Sequence, residues 1–86
     1  MENIEANRRK LDEIDDAIIT KLLERFEVTK EIGRTKKNHN IEIFQPEREK
    51  AIIESIKSRL EGYEDVEAII EIYKTIMNKS KALQIY

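Results

Sequence analysis

The chain has 86 residues, which is one domain by length, with 16 basic and 18 acidic side chains and a net charge of −2. Charged residues make up 40 %, there are two glycines and one proline, and cysteine is missing; this suits helices, argues against a sheet, and excludes disulfide staples and thiolate zinc sites. The balanced charge gives no global field to recruit nucleic acid, no apolar run approaches a bilayer span, and the N-terminus lacks an apolar signal core, so a cytoplasmic protein without membrane or nucleic-acid partners is expected.

The stretch from Ile4 to Lys37 reads as one long helix. Ile4, Leu11, Ile14, Ile18, Leu22 and Ile32 keep one apolar stripe on one face, no proline interrupts it, and Gly33 is its only glycine. At 1.5 Å per residue the rod is about 50 Å long, whereas a compact domain of this size has a radius of gyration of about 12 Å. The rest of the chain cannot cover such a rod, and the simplest partner is a second copy.

Basic residues interrupt the stripe at Arg8, Arg25 and Lys36. Arg25 and Lys36 are eleven residues apart, so they project to the same side within about 20°, with backbones about 16 Å apart. Two long side chains at that spacing can close on one small anion. Arg8 lies about 25 Å before Arg25 and about 100° round the helix. It cannot share a small ligand with Arg25 of its own straight helix, but it can share one with Arg25 of an antiparallel partner.

A polar break at Asn38-His39-Asn40 follows, then Ile41-Glu42-Ile43-Phe44, which has no strand to pair with and reads as an ordered loop. Gln45-Pro46 marks a second helix start, because proline suits the first helical position. Glu47 and Glu49 there favour the positive end of the dipole. This helix extends to about Leu60 with Ile52, Ile53, Ile56 and Leu60 inward, and Gly62 is its expected stop. Asp65 is the expected N-cap of a third helix that buries Val66, Ile69, Ile70, Tyr73, Ile76 and Met77 and turns polar at Ser80 and Gln84. The expectation is an all-α protomer, one long helix and two shorter ones, pairing with a second chain into a helical bundle.

If the helices bundle, Arg8, Arg25, Lys36, Arg48, Glu49, Ser80 and Gln84 converge on one pocket. Cations outnumber anions there, so its ligand is an anion with more than one carboxylate or phosphate. The pocket has no nucleophile set, no His-plus-carboxylate metal cluster and no phosphate loop, so any catalysis works by positioning and electrostatics. The plainer account is also open: basic residues on helices ordinarily keep their heads in water. His39 reads as solvent-facing, and Tyr63, Tyr73 and Tyr86 as packing residues. On residues alone, an anion-binding dimer and a non-enzymatic dimerisation module both stand.

The order Arg8…Leu11…Ile14-Asp15…Leu22-Leu23-Glu24-Arg25…Ile32-Gly33…Lys36, then Gln45-Pro46-Glu47-Arg48-Glu49, then Ser80…Leu83-Gln84, resembles the all-helical AroQ-class chorismate mutases over essentially the whole chain. The resemblance implies an intertwined homodimer of three-helix protomers in which residues 1–86 form one chorismate mutase domain, and an isomerase of aromatic amino-acid biosynthesis. It would convert chorismate, a dianion, to prephenate by a Claisen rearrangement without metal or cofactor. By the same resemblance Arg25 and Lys36 hold the substrate carboxylates, with Arg8 reaching in from the other chain. Lys36 and Gln84 donate to the ether oxygen, Glu49 accepts from the ring hydroxyl, and Arg48 and Ser80 complete the polar wall. Gln45 is a further candidate substrate contact, at a position where many relatives carry Asp, and there the hydroxyl contact can also pass to the backbone or to Glu49. The resemblance also admits an isochorismate pyruvate-lyase on the same fold, but those lyases tend to have apolar residues at the positions of Glu49 and Ser80. With 86 residues the chain has no room for a fused dehydratase, dehydrogenase or effector domain.

Overall fold

The computed structural model describes residues 2–84, and Tyr86, expected to pack, lies outside them. Three helices follow one another: α1 (Glu2–Asn38), α2 (Pro46–Arg59) and α3 (Val66–Gln84). No strand occurs among the described residues, and Ile41 to Phe44 form the expected loop. No helix is long and apolar enough to cross a membrane.

Helix α1 extends the expected rod by two residues at its start and one at its end. Its sequence is rich in Glu, Lys, Arg and Leu, all strong helix formers, and Lys21–Glu24, Lys30–Glu27 and Arg34–Glu31 pair along its outer face. It stops where Asn40 takes a left-handed backbone (φ 57°). The Ile41 amide then donates back to the Lys36 carbonyl at 2.8 Å and the Asn40 amide to the Lys37 carbonyl at 3.4 Å. These paired bonds satisfy carbonyls that a helix end leaves bare. They also fold the chain back beside Lys36.

Pro46 opens α2, with Gln45 as a cap that makes no side-chain capping bond. The Leu60 amide closes its last turn on the Ile56 carbonyl, and Gly62 (φ +89°) carries the reversal that follows. At the start of α3 the Asp65 carbonyl accepts the Ile69 amide at 3.1 Å, the bond an N-cap residue supplies.

Helix α3 packs against both others, while α1 and α2 do not pack on each other. Ile56 on α2 and Ile70 and Met77 on α3 are buried, and Thr29 and Gly33 are buried on α1. The four-residue spacing of Thr29 and Gly33 presents one small-residue strip. At Gly33 the approach is closest: a Cβ there would lie 2.8 Å from the Gln84 Cα and 2.9 Å from its carbonyl oxygen. Only glycine lets the two backbones meet so tightly.

The molecule measures 57 × 28 × 15 Å with a radius of gyration of 16.4 Å, well above the value of about 12 Å for a compact domain of this length. The long dimension is that of α1. Toward its N-terminus Leu11, Ile14, Ile18 and Ile19 are each more than half exposed, so half the predicted stripe has no neighbour within the chain.

Candidate active site

Because α1 and α2 both lean on α3 without meeting, they leave a cleft of about 170 Å³ between them. Helix α1 contributes Arg25, Ile32 and Lys36; the loop gives Ile43 and Gln45; α2 gives Arg48, Glu49 and Ile52; α3 gives Met77, Ser80, Lys81 and Gln84. Seven of the eight residues predicted to contact a ligand thus line one cleft. The eighth, Arg8, does not reach it: it stands on the exposed part of α1 and pairs with Glu5 at 3.3 Å.

The cleft side chains hold one another. Lys36 Nζ donates to Gln84 Oε1 at 2.9 Å and to the Ile43 carbonyl at 3.1 Å. An ammonium has three donors and no acceptor, so one N–H of Lys36 is left for a ligand. Facing Lys36, Gln84 must present its carbonyl oxygen, which leaves its NH₂ group free to donate. Gly33 fixes this pair, since it sets α1 onto the Gln84 backbone. The chain reversal at Asn40 brings the Ile43 carbonyl within reach.

Arg25 Nη1 donates to Ser80 Oγ at 2.7 Å, and Ser80 Oγ donates to the Ile76 carbonyl at 2.8 Å. Ser80 is buried. Its hydroxyl therefore fixes the guanidinium, leaving the other donors of Arg25 available. Gln45, at the mouth of the cleft, spends no side-chain atom on capping α2. The sequence pattern does not single out Lys81, whose Nζ sits 3.1 Å from Glu49 Oε2 and 4.6 Å from the centre of the Phe44 ring. It follows Ser80 directly and precedes Gln84 by three residues, a helical spacing that could have placed it on the same face.

Counting formal charges, Arg25, Lys36, Arg48 and Lys81 face the single carboxylate Glu49. The excess of cations, with apolar Ile32, Ile43, Ile52 and Met77 between them, suits the cleft to a multiply charged anion. No group of three or more His, Cys, Asp or Glu that could hold a metal occurs among the described residues. A second hollow of about 340 Å³ adjoins the cleft and shares Arg25 and Arg48 with it, and Arg59 and Tyr73 line its far side.

The family model described as chorismate mutase type II matches residues 7–85. A chorismate mutase of Methanocaldococcus jannaschii is 34 % identical over 85 residues, covering 98 % of this chain and 86 % of the relative. A bifunctional chorismate mutase/prephenate dehydratase of Aquifex aeolicus is 35 % identical over 88 residues, again 98 % of this chain, but the chain spans only 24 % of that protein's length. With an all-helical fold whose polar positions fall together in one cationic cleft, the chain belongs to the chorismate mutase type II family.

Proposed function

We propose that the protein is a chorismate mutase, working as a cytoplasmic homodimer that supplies prephenate for aromatic amino-acid biosynthesis. The observation that carries the reading is the 2.9 Å contact between Lys36 and Gln84. It sets an ammonium and a primary amide side by side, each with a free donor, in a cleft too small for a macromolecule. Chorismate carries two carboxylates and an enol ether. Arg25, steadied by Ser80, and Arg48 take carboxylate oxygens through fork-shaped contacts. The spare N–H of Lys36 and the amide of Gln84 meet the ether oxygen, and Glu49 accepts from the ring hydroxyl.

In the rearrangement the ether C–O bond breaks as a C–C bond forms, and negative charge grows on the departing oxygen. Donors already aimed there bind the transition state more tightly than the ground state. Each is worth about 3–4 kcal/mol by analogy with preorganised oxyanion donors. A 10⁶-fold acceleration needs about 8 kcal/mol. Two donors together with the folding of chorismate into its reactive conformer between the carboxylate contacts supply that amount. No step passes a proton or forms a bond to the protein.

The bare half of α1 is the dimer contact in this reading. An antiparallel second α1 covers Leu11, Ile14 and Ile18 and carries its own Arg8 toward Arg25. The adjoining hollow leaves the far sides of Arg25 and Arg48 open, so a guanidinium from a second chain has access to the same carboxylate.

Incubating the purified chain with chorismate, and following the loss of its absorbance, tests the proposal: prephenate is expected as product. Isochorismate offered in parallel should give no salicylate, because Glu49 and Ser80 keep polar the positions that the lyases leave apolar. Salicylate formation, or no change in either substrate, would reject the reading.

A further inference from the structure

We infer that Lys81 is a positioning residue for Glu49, holding one carboxylate oxygen so that the other faces the substrate hydroxyl, and offsetting the negative charge that Glu49 brings near a dianion. The inference rests on the chorismate mutase reading and adds to it a residue of this chain.

The ion pair differs from the others among the described residues. Arg8–Glu5, Lys21–Glu24, Lys30–Glu27, Arg34–Glu31, Lys57–Glu54 and Lys74–Glu71 are all three-residue pairs within one helix and largely exposed. Pairs of that kind contribute little. Lys81–Glu49 instead joins two helices, with side chains 31 % and 27 % exposed. Both residues line the cleft. Glu49 lies in the first turn of α2 and Lys81 in the last turn of α3, where each helix dipole favours the charge it carries.

The geometry leaves a defined vacancy. Lys81 Nζ engages Glu49 Oε2 at 3.1 Å. A carboxylate only accepts, so Oε1 is the oxygen left for a hydroxyl. Phe44, from the loop beside Lys36, lies under the ammonium at 4.6 Å. That cation–ring contact limits where Nζ can go and therefore which oxygen it takes. Without Lys81, the Glu49 carboxylate would be free to rotate and would stand uncompensated beside an incoming dianion.

The test compares steady-state kinetics on chorismate for wild type, Lys81→Met, Lys81→Arg, Glu49→Gln and the Lys81→Met/Glu49→Gln double variant, with melting curves for each. Lys81→Met keeps the apolar stem and is expected to raise KM about tenfold, the scale of one charged hydrogen bond, with kcat within about twofold of wild type. Lys81→Arg should restore most of the lost KM. In the Glu49→Gln background Lys81→Met should change KM by less than about twofold, since coupled residues are non-additive. A purely structural ion pair would instead lower the melting midpoint of Lys81→Met while leaving its KM near that of wild type. Wild-type kinetics in Lys81→Met, an equal KM rise in both backgrounds, or a rise that Lys81→Arg does not relieve would overturn the inference. Failure of the wild-type chain to make prephenate would defeat the functional reading itself, a result distinct from turnover that is indifferent to Lys81.

Discussion

Residues Leu11 to Ile19 and residues Arg25 to Lys36 of α1 continue one helical stripe, but only the second stretch has a neighbour in its own chain. There α1 lies on α3, Thr29 and Gly33 are buried, and Arg25 and Lys36 are held by Ser80, Ile43 and Gln84. In the first stretch the apolar side chains are more than half exposed. The difference is one of length: α3 has 19 residues against 37 in α1, about 28 Å against about 55 Å. One half of the longest helix builds most of an anion cleft while the other half stays apolar and bare; in the proposed dimer the bare half is the interface.

The sharpest way to break this division is to charge the bare half. Replacing Ile14 and Ile18 together by Asp sets carboxylates where the second α1 would pack, and unpaired charges are not tolerated in such a seam. The expected outcome is a monomer by light scattering, with no measurable activity; a dimeric, active variant would show that the exposed stripe is not the contact.

Next in size, Arg8→Ala and Arg25→Ala should each lose roughly 10²–10³-fold in kcat/KM, as removal of a preorganised donor does. If Arg8 serves the neighbouring chain, mixing the two variants after chain exchange restores about a quarter of the wild-type sites, because half the dimers are mixed and each has one intact site of two. No recovery, with exchange verified, would place Arg8 outside the site.

Within the packed half, Gln84→Glu keeps the shape of the side chain but can donate from that position only when protonated. Its activity should rise about tenfold per pH unit on acidification toward the ordinary carboxyl range, while wild type stays comparatively flat. A pH-independent variant would separate Gln84 from the ether oxygen.

The mildest change is Gly33→Ala. One methyl group pushed against the Gln84 backbone should cost about 1–3 kcal/mol, the range for overpacking a close contact. It should show as a lowered melting midpoint and an activity loss of about tenfold as the Lys36–Gln84 pair is spread. Unchanged melting and kinetics would mean that the α1–α3 approach has slack.

Most of this architecture was legible in the sequence, for reasons that vary along the chain. The period of apolar residues, the Gln45-Pro46 junction and the Asp65 cap located the starts of all three helices and the ends of the first two to within two residues, since the signals are local. The convergence of Arg25, Lys36, Arg48, Glu49, Ser80 and Gln84 followed from cations and polar groups standing on apolar faces. Three features escaped. The spacing of Lys81 from Gln84 encodes its face, but its contacts to Glu49 and Phe44 depend on the placement of α2 and the preceding loop against α3, which no spacing within one helix encodes. Asn40 was read only as part of a polar break, although its tolerance of the left-handed region makes it the helix terminator. Ser80 lines the cleft as expected, but the bonds of its hydroxyl to Arg25 and the Ile76 carbonyl are settled only when α1 and α3 are in register.

The reversal at Gly62 has a consequence for how this protein can vary. Space around that glycine is open, with nothing within 4 Å of where a Cβ would stand, so its constraint is one of backbone angle alone. The other connection, by contrast, carries the carbonyl that Lys36 grips and the ring beneath Lys81. Extra residues, an epitope or a whole inserted module can therefore enter beside Gly62, roughly 20 Å from Glu49 along α2, while the segment between Asn40 and Gln45 is held to a fixed count.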